Sequence, residues 1–142
     1  MDFTVTEEQQ QIRETIKRFC ETEMKPLVFE AEETETFPKE MFKKWGELGI
    51  LGTRYPVENG GTGMDKISDC IIREELSYIS QAFASSMSAH SHLGIWPIWK
   101  IGTEDQKERF FKPAIHGDKI AAFGLSEPDV GSNIRALKTR AE

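Results

Sequence analysis

The sequence has no cluster of basic residues. Its 18 Lys and Arg are outnumbered by 24 Asp and Glu, which leaves a formal net charge of −6. Because binding to nucleic acid needs a dense Lys/Arg surface, this composition argues against that role. Long apolar runs are also absent. The longest, Leu93–Trp99, is interrupted by Gly94 and Pro97 and is far shorter than the ~20 residues that a membrane-spanning helix requires.

Cysteine and histidine are scarce as well. Cys20 and Cys70 lack any disulfide or metal-binding motif, so we expect reduced, buried thiols and a cytoplasmic protein. His90 and His92 lie two positions apart, whereas two metal ligands on one helix are typically four apart. The sequence therefore predicts no metal site.

Helical signals fill most of the chain. Thr6 and Gln9 form a capping box, and Thr103 and Gln106 form a second one. Between them, apolar residues recur at three- and four-residue steps, which is typical of amphipathic helices. The predicted helical stretches cover residues 6–36 with a break or kink at Pro26, 38–49, 67–79, 82–101 and 103–116. We therefore predict a mainly α fold, a bundle of about six helices.

The helix predicted over residues 67–79 contains a pair of adjacent carboxylates. Its apolar pattern predicts that Ile67, Cys70 and Ile71 are buried. Glu74 and Glu75 would then lie on the solvated face. Neighbours on a helix point about 100° apart, which argues against a joint acid/base role for the two.

The helical pattern stops after residue 117. Ile120–Ser126 is predicted to be a strand, and Leu137–Ala141 the next one. A sheet of one or two strands with unpaired edges is not stable by itself. We therefore expect a helical domain over residues 1–118 and, over 119–142, the start of a β-domain that the sequence leaves incomplete.

A loop rich in turn residues, Phe123–Asn133, follows the first predicted strand. Its Gly-containing turns expose backbone N–H groups, and Ser126 and Ser132 add hydroxyls, which suits an anionic or heteroaromatic ligand. The run Gly-Leu-Ser-Glu-Pro-x-x-Gly-Ser resembles the flavin-contacting signature of the acyl-CoA dehydrogenase family, and the resemblance extends over the whole chain. The family usually has Ala or Gly at Val130 and Asp at Asn133, so these positions bear on flavin affinity.

This resemblance implies that FAD is the cofactor and an acyl-CoA thioester the substrate. The implied FAD contacts are Phe123, Leu125 through its backbone, Ser126 through its hydroxyl, and Gly131 and Ser132 at the pyrophosphate. The implied substrate contacts are Ser132 at the CoA portion and, from the run Ala-His-Ser-x-Leu, the acyl-pocket residues Ala89, His90 and Leu93.

The implied reaction is α,β-dehydrogenation, with FAD as hydride acceptor and an electron-transfer flavoprotein as the partner that reoxidises it. In the family the catalytic base is a Glu of the C-terminal helical domain, outside this chain. We therefore predict no catalytic residue here, an inactive chain when alone, and a structural role for Glu127. The family's tetramers imply a homotetramer for the full-length enzyme.

Other readings remain open. The chain could be a stand-alone helical interaction module without flavin, or the N-terminal part of a related flavin monooxygenase or oxidase on the same scaffold. A complete active enzyme is disfavoured because the base and half of the flavin site would be missing. Acyl chain length is not encoded in any motif found.

Overall fold

The computed structural model describes residues 4–140, and most of them are helical. The α-helices are α1 (Glu7–Phe19), α2 (Lys25–Thr34), α3 (Met41–Glu47), α4 (Lys66–Ile79), α5 (Gln81–Ser88), α6 (Trp96–Ile101), α7 (Glu104–Gln106) and α8 (Lys112–Ile115). The π-helical turns Cys20–Met24, Ala89–Gly94 and Lys107–Phe111 link α1 to α2, α5 to α6 and α7 to α8. The mainly α fold predicted from the sequence is confirmed.

The capping box at the start of α1 forms as predicted. The Thr6 hydroxyl accepts a hydrogen bond from the Gln9 backbone at 3.2 Å, and the Gln9 side chain accepts one from the Thr6 backbone at 3.0 Å. The break expected near Pro26 takes the form of the π turn Cys20–Met24, which ends two residues before the proline. Since proline lacks an N–H and fits the first turn of a helix, α2 then continues to Thr34.

Two apolar clusters hold the bundle together. The larger one lies where α1 packs on α4 and α4 on α5, and its largest buried side chains include Trp45, Met24 and Phe83. The smaller one joins Tyr55 and Phe111, whose rings meet edge to face at 4.9 Å. The second cluster supports the end of the bundle from which the turn-rich C-terminal segment departs.

Helix α3 approaches the end of α8 closely. A β-carbon on Gly46 would collide with the backbone carbonyl of His116 and lie 2.8 Å from the nitrogen of Gly117. Gly117 itself has φ +75°, in the left-handed region. Glycine at both positions lets the two backbones touch, which fixes the point where the chain leaves the bundle.

The buried side of α4 differs from the prediction. Glu75 is only 7% exposed and pairs with Arg13 of α1, whereas Ile67 is 58% exposed and Cys70 lies at the surface. The reason is tertiary: α1 places a guanidinium against this face, so a carboxylate rather than an apolar side chain is satisfied there. Glu74 is exposed as predicted, and it also contacts Arg13.

Cys20 is buried as predicted. Burial is the main cause that raises the pKa of its thiol to about 12, so it stays protonated and unreactive. None of the helices within residues 4–140 has the length and apolar character needed to cross a bilayer.

The predicted strands do not form. Within the described residues, the β pairing is an isolated bridge between Glu127 and Val130. Ile120–Ser126 makes no ladder, and neither do residues 137–140; Ala141 of the second predicted strand lies outside the described residues. A strand is stabilised by hydrogen bonds to a neighbour, and residues 4–140 supply none here.

Candidate cofactor and substrate surface

The π turn Ala89–Gly94 carries the three residues predicted to line an acyl pocket. It extends α5 by one wide turn in which the adjacent residues His90 and Ser91 are buried. Ala89 is exposed and Leu93 is 49% exposed, while His90 has no exposed surface. Ala89 and Leu93 therefore present a small exposed apolar surface, on a π turn of the kind that is enriched at functional sites.

His90 lies inside the protein. Its Nδ1 accepts a hydrogen bond from the Ala121 backbone N–H at 3.0 Å, and its Nε2 lies 3.1 Å from the carbonyl of Ala114. Its ring also meets Phe42 edge to face at 5.1 Å. The His90 side chain is buried and both ring nitrogens have partners within the protein, which gives it a structural role; its substrate contact stays a prediction. Burial lowers the pKa of His90, which favours the neutral ring.

The segment 120–126 starts against this π turn. A β-carbon on Gly94 would lie 2.9 Å from the Ala121 side chain, so glycine is required for the approach. Beyond Ala121, the N–H groups of residues 122–126 make no hydrogen bond within the described part of the chain. Phe123 and Leu125 are 47% and 40% exposed. Unpaired N–H groups and two exposed apolar side chains therefore lie on one short stretch beside the π turn.

The Glu-Pro corner closes into a compact turn. Glu127 and Val130 exchange two backbone hydrogen bonds of 3.0 Å. The Glu127 carboxylate accepts bonds from the Lys138 and Thr139 backbones at 2.9 and 2.8 Å and from the Thr139 hydroxyl at 2.5 Å. The hydroxyl bond, followed by the two backbone bonds, lowers the pKa of Glu127. The predicted structural role of Glu127 is confirmed by these contacts.

The remaining predicted cofactor residues lie on the two arms of this turn. Ser126 precedes the bridge, and Gly131 and Ser132 follow it, all exposed. A β-carbon on Gly131 would meet nothing within 4 Å, so the backbone there is open to a ligand. Val130, where the family usually has Ala or Gly, is only 4% exposed, so its side chain is buried and turned away from solvent. Ser126 and Ser132 therefore flank the same turn, and their roles as cofactor contacts stay predictions.

Sequence reasoning missed a polar cluster between α4 and the π turn. His92 Nε2 lies 3.0 and 3.2 Å from the carboxylate oxygens of Asp69, which also accepts from the Thr53 hydroxyl at 2.7 Å and pairs with Arg73 at 3.0 Å. Burial raises the pKa of Asp69, but the bonds from His92 and Thr53 outweigh it and leave the pKa below its ordinary value. The i,i+4 spacing of Asp69 and Arg73 could have suggested their ion pair, but Thr53 and His92 lie 16 and 23 positions from Asp69, beyond the reach of any spacing motif. The cluster borders a cleft of about 640 Å³.

Comparison with known proteins identifies relatives along the chain. The family model "Acyl-CoA dehydrogenase, N-terminal domain" matches residues 6–118. A short-chain specific acyl-CoA dehydrogenase of Clostridium acetobutylicum is 41% identical over 99% of this chain and 37% of its own length. The chain therefore spans little more than a third of this curated relative.

Solved structures share the fold. A glutaryl-CoA dehydrogenase from Mycobacterium smegmatis in complex with FADH2 has a TM-score of 0.89 and 32% identity, covering 95% of this chain and 35% of that one. A structure described as an electron transferring flavoprotein of Acidaminococcus fermentans has a TM-score of 0.87 and 36% identity, covering 96% of this chain and 36% of that one.

Proposed function

Because this chain belongs to the acyl-CoA dehydrogenase family, we propose that it is the N-terminal portion of an enzyme that removes hydrogens from the α and β carbons of an acyl-CoA thioester with FAD as acceptor. The family match over residues 6–118 supports the assignment, as does the similarity to a dehydrogenase in complex with FADH2. Since the chain covers about a third of its relatives, the activity is proposed for the whole protein.

One observation carries the proposal: the unpaired donors of residues 122–126 lie beside the exposed side chains Phe123 and Leu125. A flat heteroaromatic ring needs hydrogen-bond donors at its polar edge and apolar groups against its face. This segment supplies both, and no side chain of the described residues occupies the space at Gly124 or Gly131. The residues present therefore fit one side of a flavin site.

In this proposal, each element has a defined task. The Leu125 backbone and the Ser126 hydroxyl hold the ring edge, while Gly131 and Ser132 hold the pyrophosphate, with Ser132 also near the CoA portion. When bound, FAD supplies the hydride acceptor. Ala89 and Leu93 form an apolar wall that keeps water from the acyl chain. The general base comes from a part of the protein beyond these residues.

The same assignment suggests the partners and the organisation of the whole protein. An electron-transfer flavoprotein is the proposed electron acceptor, as the family resemblance implies. Residues 1–118 would form the helical domain, and 119–142 would begin a β-domain whose later strands pair with the unpaired segment 120–126. We propose a homotetramer and a cytoplasmic location for the complete enzyme.

Flavin content of the full-length protein tests the proposal. Ser126→Ala removes one hydroxyl donor, so we expect about five- to tenfold weaker flavin retention, as for the loss of one hydrogen bond. Ser77→Ala is the matched control, since its hydroxyl only donates to the Arg73 carbonyl within α4. Flavin content is read from visible absorbance after gel filtration. Unchanged retention in Ser126→Ala, or a colourless wild-type protein after FAD is added, would contradict the proposal.

A further inference from the structure

We propose that His90 is the positioning residue that fixes segment 120–126, the proposed flavin-contacting segment, against the π turn Ala89–Gly94. This inference rests on the proposed function for its consequence, but its geometry stands independently. Among the N–H groups of residues 120–126, that of Ala121 has a partner within the described chain, and the partner is His90. The anchor therefore lies at the start of the exposed stretch and leaves the following donors for a ligand.

The hydrogen bonds define the tautomer of the ring. Ala121 donates its N–H to Nδ1, so Nδ1 must carry a lone pair. Nε2, which lies 3.1 Å from the Ala114 carbonyl, must then carry the proton and donate it. A neutral imidazole with the proton on Nε2 satisfies both neighbours. A doubly protonated ring would turn a second N–H towards the Ala121 N–H and break the anchor.

The His90 ring is enclosed by its surroundings. It has no exposed surface, and it meets the Phe42 ring edge to face with 5.1 Å between the ring centroids. Gly94 and Ala121 are in close contact, so the segment cannot move inward. Ala114, the second partner, belongs to α8, so the same ring is also tied to that helix. His90 thus joins the wall containing Ala89 and the proposed flavin segment through one rigid group.

Two substitutions of His90 by an amide side chain test the two ring nitrogens separately. In His90→Asn the side-chain oxygen can occupy the position of Nδ1, whereas in His90→Gln the polar atoms extend to the position of Nε2. The measurement is hydrogen exchange at the Ala121 amide of the full-length protein, resolved by fragmentation mass spectrometry. We expect wild type and His90→Asn to protect this amide, and His90→Gln to exchange about fivefold faster, the equivalent of one net hydrogen bond.

A second measurement needs no substitution. Selective ¹⁵N labelling of histidine reports which nitrogen of His90 carries the proton, and we expect Nε2. A proton on Nδ1 would overturn the assignment, because Ala121 would then face a donor. Equal Ala121 exchange in wild type and both variants would overturn it too, since His90 would not be the anchor.

The consequence for the cofactor is tested separately. In the flavin-loaded protein we expect His90→Gln to shift the visible flavin absorption band, and His90→Asn to keep the wild-type spectrum. Wild-type spectra in both variants, together with lost Ala121 protection in His90→Gln, would overturn the positioning role. A wild-type protein that binds no flavin would instead contradict the proposed function. The tautomer and hydrogen-exchange results would still test the hydrogen bond between Ala121 and His90.

Discussion

Replacing Arg13 by Ala tests whether the buried carboxylate of α4 depends on α1. Arg13 contacts Glu75, whose side chain is 9% exposed, and Glu74, whose side chain is 49% exposed, the latter at 2.7 Å. Removal of the guanidinium leaves the Glu75 carboxylate buried without a cation. The Glu74 pair adds little, because an exposed ion pair is worth about 0–1 kcal/mol.

The burial of Glu75 sets the expected loss of stability. Removing one partner of a fully buried ion pair lowers the free energy of unfolding by about 3–5 kcal/mol. Arg13 is 29% exposed, so water can reach the vacated space and the penalty falls to about 2–3 kcal/mol. The free energy of unfolding falls by about 1–3 kcal/mol per M of urea, so the urea concentration at the unfolding midpoint should fall by about 1–2 M.

Urea unfolding of the purified protein measures this difference. Arg18→Ala is the matched control, since Arg18 is exposed on the same helix and makes no ion pair among the described contacts; it should change stability by less than about 0.5 kcal/mol. The double variant Arg13→Ala/Glu75→Leu removes the stranded charge and should be more stable than Arg13→Ala alone. If the single variant loses no more than the control, or the double variant is less stable still, the reasoning is refuted.

Two further predictions follow from the backbone and the loop. Gly46→Ala should lower the unfolding free energy by about 2 kcal/mol or more although alanine favours helix, because its β-carbon would collide with His116; a stabilised variant in urea unfolding would contradict this close contact. The lowered pKa of Glu127 means that its bonds to Lys138 and Thr139 are complete above its ordinary pKa of 4.5 and are lost as pH falls through the lower folded value. Protection of the Thr139 amide, corrected for intrinsic exchange, should therefore decline only below pH 4.5, and a constant protection down to pH 2 would argue against the carboxylate as its partner.

The proposed acyl-chain wall and the proposed flavin-contacting segment lie next to each other at one end of the bundle. The exposed wall at Ala89 and Leu93 and the donors of residues 122–126 are separate in sequence but adjoin through His90. Their adjacency does not depend on the corner at Glu127, which is held by its own bonds to Lys138 and Thr139. Substitutions can therefore perturb the His90–Ala121 hydrogen bond and the turn at Glu127 independently.

Local signals in the sequence were sufficient for the helices and their starts. The capping boxes at Thr6 and Thr103 formed as predicted because both of their partners lie three residues away. The burial of Cys20 followed from helical periodicity, which also acts over a few residues. The structural role of Glu127 was anticipated in kind, since turn carboxylates commonly bond to nearby backbone.

Tertiary contacts decided what the local pattern could not. Glu75 is buried because Arg13 comes from 62 positions away, and the ring of His90 is committed to Ala114 and Ala121, 24 and 31 positions away. The apolar period of α4 could not show that a charged partner would meet that face. A strand at 120–126 likewise depends on a neighbour that residues 4–140 do not supply. Helical order arises from bonds between residues close in the chain, whereas burial of polar groups and strand pairing depend on which distant groups the fold brings together.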